Sequence, residues 1–326
     1  MANTNPEIQA VQNYIDQNSR ELIAKSVLEP MSTKLFSIQT GVKAETAINL
    51  LDVAVEFGDG TQCGWDPKGS DTISQRTIKP GFMKVEKVYC QKNFLNTFAN
   101  YLANVAAGRE TLPFEEYFIN ANIKAIAAEL EKAVWYGDTK DGTGNMQYFD
   151  GLFKILKHEV DLGTTKNVYA ANQTMYKRVW DVYMAIGDEW IDNAVIYMSK
   201  QDYRTLIKEM IDANQFHYGQ NINDFPTIED GSMQMILPGT TTLIKAVDGM
   251  KHAANEEGAI VAMDPKHTVF GVDFESDSTT ARFWFSEDND EFRMRVNFSA
   301  GIQVALPSEV VVSADWKAGS GSGNGE

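Results

Sequence analysis

The chain is poor in cysteine, in histidine and in uninterrupted apolar sequence, and each shortage removes a class of protein. Its 326 residues include two cysteines, Cys63 and Cys90, and four histidines, His158, His217, His252 and His267. Two thiols cannot build the disulfide framework of a small secreted domain, and this usage fits a reducing cytoplasm. In a simple hairpin Cys63 falls near the tip and Cys90 near the base, too far apart to be bridged. The histidines are scattered, with no His-Glu-x-x-His and no pair at ligand spacing, so zinc chemistry has no support. No window approaches the roughly 18 consecutive apolar residues of a membrane span. Met1 to Ala10 has neither the basic start nor the apolar core of a secretory signal. Cys-x-x-Cys, the Walker phosphate loop, Gly-x-Gly-x-x-Gly after a strand and the Gly-x-Ser-x-Gly elbow are all missing, so nucleotide-binding and hydrolase readings lack their minimum parts. No cofactor, no metal and no catalytic residue is expected.

Positive charge is also in deficit. Lys and Arg total 29 against 45 Asp and Glu, a formal net charge of −16. That balance argues against a protein whose whole surface grips nucleic acid, while leaving room for a local basic face. The 43% hydrophobic and 23% charged content is that of an ordinary globular chain, long enough for one large or two intimately joined domains.

What is present is a ribbon. From Leu50 the chain alternates, with Leu51, Val53, Val55 and Phe57 on one side and Asp52, Ala54 and Glu56 on the other, the pattern of a half-buried strand. Gly58 to Ser70 then combines Gly58, Asp59, Gly60, Gly64, Pro67 and Gly69 with Cys63 and Trp65. A return limb follows through Ile73, Ile78, Phe82, Met83, Val85, Val88 and Tyr89. Pro80 interrupts it, and the alternation slips near Glu86 and Lys87 as if at a bulge. An arm of roughly a dozen residues at ~3.3 Å each reaches about 40 Å, and an isolated two-stranded hairpin is marginal in water. The simplest surface to stabilise it is another copy of the protein. Trp65, in a polar tip with little of its own chain to cover it, is the favoured contact; the opposing reading folds it back onto Phe57 or Ile73. Arg76, Lys79, Lys84 and Lys87 make the return limb basic, to pair with acids of a neighbour or to solvate an exposed strand edge. The expected inter-subunit contacts are therefore Phe57, Trp65, Lys68, Ile73 and Arg76.

Asn5-Pro6-Glu7 opens a helix whose apolar stripe runs through Ile8, Val11, Ile15, Leu22 and Ile23, either packing on its own domain or docking on a neighbour. Helical spacing recurs from Asn93 to Ala107. The strongest helix is expected over 111–136, with Thr111 as cap, Pro113 in the first turn, an apolar pattern from Phe114 to Trp135, and a stop at Gly137. Tyr117 and Trp135 at its ends read as core rather than as a ligand stack. Asp138 to Gly151 is a loop. Asp138, Asp141 and Asn145 within it miss the ligand spacing of a calcium loop and read as a turn. Helices over Thr174–Ile186 and Ser199–Ala213 flank a strand at Ala194–Met198, a compact α/β unit. Strands are expected at Met233–Leu237, Thr241–Val247, Ala259–Met263, Val269–Phe274, Ala281–Phe285, Phe292–Phe298 and Ile302–Leu306. Glu287, Asp288, Asp290 and Glu291 read as a solvated turn between two of them. The tail from Gly319 is rich in Gly and Ser.

Three stretches, in this order, resemble the major capsid proteins of tailed bacteriophages. Thr72-Ile-Ser-Gln-Arg-Thr-Ile78 leading into Phe82-Met-Lys-Val-Glu-Lys-Val-Tyr-Cys90 is similar to the return limb of that family's extended loop. Glu129-Leu-Glu-Lys-Ala-Val-Trp-Tyr-Gly-Asp138, with Phe149-Asp-Gly-Leu152, resembles the end of its spine helix. Val195-Ile-Tyr-Met-Ser-Lys200 running into Tyr203-Arg-Thr-Leu206 resembles a strand and helix of its axial domain. The resemblance implies an α+β, Hong Kong 97-like capsid fold: an N-terminal arm (1–49), an extended hairpin loop (50–90), a peripheral domain (91–168 and 264–318) with the spine helix, an axial domain (169–263) and a flexible tail (319–326). It further implies self-assembly into hexamers and pentamers of an icosahedral shell enclosing double-stranded DNA, and a virion protein assembled in the bacterial cytoplasm. The implied partners are a portal, decoration proteins in some members, and packaged DNA through weak, non-specific contact, with no membrane. Many members carry a large N-terminal scaffolding region; this chain reaches its first arm helix at once, so a separate scaffolding protein is expected. Some join subunits through a Lys and an Asn; Lys68 sits near the tip, without an identifiable partner or catalytic acid. The rival readings are an encapsulin-type compartment of the same fold and, from another class, a monomeric α/β binding protein or enzyme.

Overall fold

The computed structural model describes residues 15, 22, 25–28, 30–53, 56–57, 71–90, 100, 103, 114–213, 227–229, 232–252, 258–273, 280–286, 288–289 and 291–316. Three sheets and a long helix organise them. A short helix α1 (Met31–Leu35) leads into β1 (Ser37–Thr40) and β2 (Thr46–Val53). Strands β3 (Asp71–Ile78) and β4 (Gly81–Cys90) follow, and then the helix α2 (Phe114–Tyr136), which begins within three residues of the expected Thr111 cap and ends where expected. The helix proposed over Asn93–Ala107 lies outside the described residues except at positions 100 and 103, both helical. Most of the first arm helix is likewise outside them, but Ile15 and Leu22 are buried and line one narrow cleft with Ile119, Ile123, Met294 and Val296.

Beyond α2 come α3 (Leu152–Asp161), β5 (Lys166–Asn167), α4 (Met175–Ala185), β6 (Val195–Ser199), α5 (Lys200–Asp212), β7 (Thr227–Glu229), β8 (Ser232–Ile236), β9 (Leu243–Val247) and β10 (Ile260–Met263). The chain then forms β11 (Thr268–Asp273), β12 (Thr280–Ser286), β13 (Glu291–Val304) and β14 (Val310–Ser313). One seven-stranded sheet runs in the order β5-β14-β10-β6-β9-β8-β7. Its central strands are apolar without alternation because both faces are covered. Ile196 and Met198 of β6, with Ile260 and Ala262 of β10, pack toward α4 and α5. Tyr197, Val261 and Met263 face the core that holds α2. The end of α2 is locked there by Trp135, fully buried against Phe36, Tyr197 and Phe153.

The five-stranded sheet is built on β13. Residues 291–297 pair with β12 and 299–304 with β11 along one edge, while β4 pairs with 291–300 along the other. Two strands were expected where β13 is one. Ser299-Ala300-Gly301 stays in the ladder because β11 pairs with all three and β4 also holds Ser299 and Ala300 from the other edge. Helix α3 and the short strands β1, β5, β7 and β14 were not anticipated. The expected boundary between 263 and 264 groups β14 with the peripheral strands, but its hydrogen bonds go to β10 of the seven-stranded sheet.

Candidate functional site

The third sheet is the ribbon. Strands β2 and β3 pair only with each other among the described residues, antiparallel from Thr46↔Ile78 to Val53↔Asp71. The expected ribbon of 50–90 needs a correction, since its return limb is two strands with different partners. Asp71–Ile78 belongs to the hairpin, whereas Gly81–Cys90 joins the body through ten consecutive pairs with β13. The division falls at Lys79-Pro80, where proline lacks the amide a ladder needs. The bulge expected at Glu86–Lys87 is absent: the register from Gly81 to Cys90 is continuous. Lys87 simply occupies the inward row with Met83, Val85 and Tyr89, and its ammonium donates to Asn122 Oδ1 of α2 at 2.7 Å. Burial pushes the Lys87 pKa down.

The hairpin's base is seated firmly. Ile78 is fully buried, and its Cγ2 stands 3.1 Å from where a Cβ would lie on either Gly271 or Gly301. Those two glycines face each other across the β11–β13 ladder, so together they form the floor of a socket for one isoleucine. Gln303 Nε2 donates to the Thr77 carbonyl at 2.9 Å. The Arg76 guanidinium pairs with Glu159 of α3. On the other side of the joint, a Cβ on Gly81 would lie 2.0 Å from the Tyr148 carbonyl oxygen. Sequence reasoning missed this socket; its only trace was Gly271 inside the expected strand 269–274, a sign of close backbone approach, since Gly301 fell in the gap between the expected strands ending at Phe298 and starting at Ile302.

The expected contact residues separate accordingly. Phe57 is 92% exposed, far more than a phenylalanine with its own covering would be. Trp65 and Lys68 lie outside the described residues. Ile73 pairs through its backbone with Leu51. Arg76 is committed to Glu159 of its own chain. The other basic residues of the limb also have partners within the chain: Lys79 with Glu45 at 3.5 Å, and Lys84 with Glu86 at 3.0 Å.

Reactive arrangements resolve into structure. Ser199 Oγ donates to Asp202 at 2.8 Å and accepts the Asp202 amide at 3.0 Å, capping α5, while His252 Nε2 lies 3.2 Å from both carboxylate oxygens. The serine bonds the carboxylate and not the imidazole, so the trio is a helix cap and lacks the relay of a nucleophile. Among the described residues no group of three or more His, Cys, Asp or Glu is placed to hold a metal ion, and no helix is long and apolar enough to cross a membrane.

The loop after α2 is an ion-paired turn. Asp138 accepts the amides of Lys140 and Asp141 at 2.8 and 3.0 Å, and Lys154 bridges Asp138 and Asp150 at 2.8 and 2.7 Å. The Lys154 ammonium holds the Asp138 carboxyl down at about 2. A carboxyl depressed when folded stabilises the fold above its unfolded value and loses that contribution as pH falls through the folded one. The melting-temperature gap between the unassembled protein and Lys154→Met is therefore expected to be constant near neutral pH and to shrink between about pH 4 and 2. A gap independent of pH would disprove the linkage.

No family model matches this chain, and no curated protein does either. Solved structures do. The satellite phage P4 procapsid, including its size determination (Sid) protein, is matched with a TM-score of 0.60 at 10% identity, over 91% of this chain and 90% of that one. The fold is that of a phage capsid subunit. A Gordonia phage Cozz structure is matched at TM-score 0.54 and 10% identity, over 87% of this chain and 85% of that chain. One from Microbacterium phage Oxtober96 is matched at 0.52 and 11%, over 87% and 90%. This mixed α+β capsid fold is of the Hong Kong 97 type, and at such identities the likeness lies in the backbone.

Proposed function

We propose that the chain is the major capsid protein of a tailed double-stranded DNA phage, assembling through hexamers and pentamers into a closed icosahedral shell. The observation that carries this is the capsid fold extending over nine-tenths of the chain, joined to a hairpin whose two strands enter the ladder of neither large sheet. The activity is geometric. In a symmetric shell every contact repeats, so modest energies per contact sum over many copies. In this reading β2 and β3 with the segment between them form the extended loop, α2 is the spine, and the unit around β6, β9, α4 and α5 gathers at the symmetry axes. The socket around Ile78 fixes the hairpin's angle to its own body, and the segment at 54–70, with Trp65, reaches a neighbour. A separate scaffolding protein, a portal and decoration proteins complete the proposed set of partners.

Light scattering after size exclusion, with negative-stain microscopy, tests the assignment. Closed particles are expected; a stable 36.4 kDa monomer under all assembly conditions would overturn it. Trp65→Ala should leave the melting temperature of the unassembled protein within about 2 °C, because in this reading the indole is buried by a neighbouring subunit and contributes little to the monomer's own stability. It should nonetheless abolish or greatly reduce shell yield. Normal shell yield removes Trp65 from the interface.

A further inference from the structure

Strand β4 is an edge of the five-stranded sheet: it pairs with β13 and, among the described residues, with no other strand. Sheet edges are ordinarily blunted by a proline, a bulge or a short strand, but this one runs from Gly81 to Cys90 in unbroken register. Beside it lies an open groove of about 350 Å³ to which β4 contributes every residue from Met83 to Lys87 and α2 contributes Ala125, Ile126, Leu130 and Ala133. Successive strand residues point to opposite faces, so a consecutive run can line one groove only where the groove follows the strand's unpaired edge. The two walls match in length, about 13 Å of strand and about 12 Å of helix. Lys87 closes one end. It is half-buried, its ammonium donates to the neutral Asn122 Oδ1 at 2.7 Å, and among the described residues no carboxylate pairs with it. The acids at the groove are placed elsewhere. Glu86 is on the outward row of β4, held by Lys84 at 3.0 Å and Arg295 at 2.7 Å. Glu129 is held by Lys132 at 2.6 Å and Asn145 at 2.9 Å, and it stands about 10 Å along α2 from Asn122.

We propose that this slot receives an extended segment of a separate protein, added as a strand to the free edge of β4, with apolar side chains at alternate positions and a carboxylate opposite Lys87. Backbone pairing supplies affinity whatever the sequence, and the inward row of Met83, Val85 and Lys87 selects the side chains. A wholly apolar strand would cover the ammonium without compensating it, whereas a strand bearing an acid neutralises it. The chain's own edge strands do not meet that requirement. β1, β5 and β12 have no acid, and the inward row of β4 repeats the lysine. β7 has 3 residues, too few to span the slot. β3 sets a single isoleucine, Ile73, on the row of Asp71. In β2, Ile48 and Leu50 share a row with Asp52, but both are already half-buried in their own molecule. The inference goes beyond shell assembly and does not depend on it.

The test uses purified, unassembled protein and the dye-labelled, end-blocked peptide Thr-Val-Thr-Val-Thr-Glu-Thr, together with its reversed sequence, read by fluorescence anisotropy. At least one of the two should bind saturably with a Kd below about 1 mM. Replacing its glutamate by glutamine should weaken binding at least about tenfold. Lys87→Met should erase that difference between the two peptides, and because the comparison is made on the ligand it stands even if the variant is less stable. Hydrogen exchange should slow at the β4 amides that β13 leaves free, a signature that mere adsorption to an apolar surface does not give. The proposal is overturned by the absence of saturable binding, by equal affinity for the glutamate and glutamine peptides, or by unchanged exchange over 81–90. It is also overturned if Lys87→Met binds the glutamine peptide more tightly than the wild type binds the glutamate one, which would make Lys87 a charge that keeps strands off this edge. A blocked peptide of the chain's own Ala47–Val53 that outcompetes both designs would make the occupant a second copy and overturn the assignment to a separate protein.

Discussion

Gly81→Ala is expected to lower stability by about 3 kcal/mol and to abolish shell formation. The added methyl would sit 2.0 Å from the Tyr148 carbonyl oxygen and 2.6 Å from its carbon, and both atoms are backbone. A flexible side chain could swing away; a loop carbonyl cannot. Either the start of β4 leaves the Ala300 register or the 148–149 loop moves, and the loop is tied to the end of α2 by the Gly151 amide donating to the Gly137 carbonyl at 2.8 Å. The joint between hairpin and body therefore shifts in every accommodation, which is why assembly suffers beyond the loss of stability. The control is Gly163→Ala. Gly163 has φ 75° with open space around the would-be Cβ, so only the left-handed backbone is penalised, by about 1 kcal/mol. Chemical denaturation of both variants decides the matter. If Gly81→Ala costs no more than Gly163→Ala, the joint is softer than the geometry requires.

The hairpin illustrates where sequence reasoning succeeded and where it ran out. Alternation from Leu51 announced a strand that does exist, but it begins earlier, at Thr46, and ends at Val53, with Glu56 and Phe57 outside it; Pro80 was visible as an interruption. A residue pattern, however, cannot name a strand's partner, and so two ladders were read as one ribbon. The apparent slip at Glu86–Lys87 had a chemical origin: a lysine on the inward row was mistaken for a change of register because its hydrogen bond to Asn122 depends on a helix more than thirty residues away. Helix α2 was legible because its signals are local, namely apolar spacing along its length and Gly137 at its end. Helix α3 carries a comparable apolar pattern in Leu152, Phe153, Ile155 and Leu156, but it follows a glycine-rich loop that drew the whole region toward an irregular reading. β14 is a bare Val-Val-Val run, too short for periodicity to separate helix from strand. The Ile78 socket was illegible for a deeper reason. It needs two glycines thirty residues apart to meet across a ladder, and only pairing brings them together.

Glu131 extends the same argument to the interior, where a buried carboxylate ties three separate elements into one unit. It is 5% exposed and accepts from the Ser32 amide at 2.9 Å, the Ser32 hydroxyl at 2.6 Å and the Gly249 amide at 3.3 Å. Trp135 Nε1 adds to the chain by donating to Ser32 Oγ at 2.6 Å. The entry to α1, the spine helix and the turn after β9 thus share one acceptor. Glu131→Ala removes it, leaves two backbone amides without a partner and opens a void beside Trp135, at an expected cost of about 3–5 kcal/mol. Glu131→Gln keeps the shape and one acceptor, and should cost less. The pH dependence gives an independent check. Burial pushes the Glu131 pKa above its ordinary 4.5, with the Asp248 charge adding to the rise. A carboxyl raised on folding contributes stability that is complete below its unfolded pKa and is lost as pH rises through the folded one. The wild type should accordingly lose ground to Glu131→Gln as pH climbs from below 4.5 toward neutrality. Denaturant midpoints measured across that range, with Glu131→Ala beside them, carry the decision. A flat difference between wild type and Gln, or an Ala variant within 1 kcal/mol of wild type, would mean that water already reaches this carboxylate and that the three elements are held together by apolar packing alone.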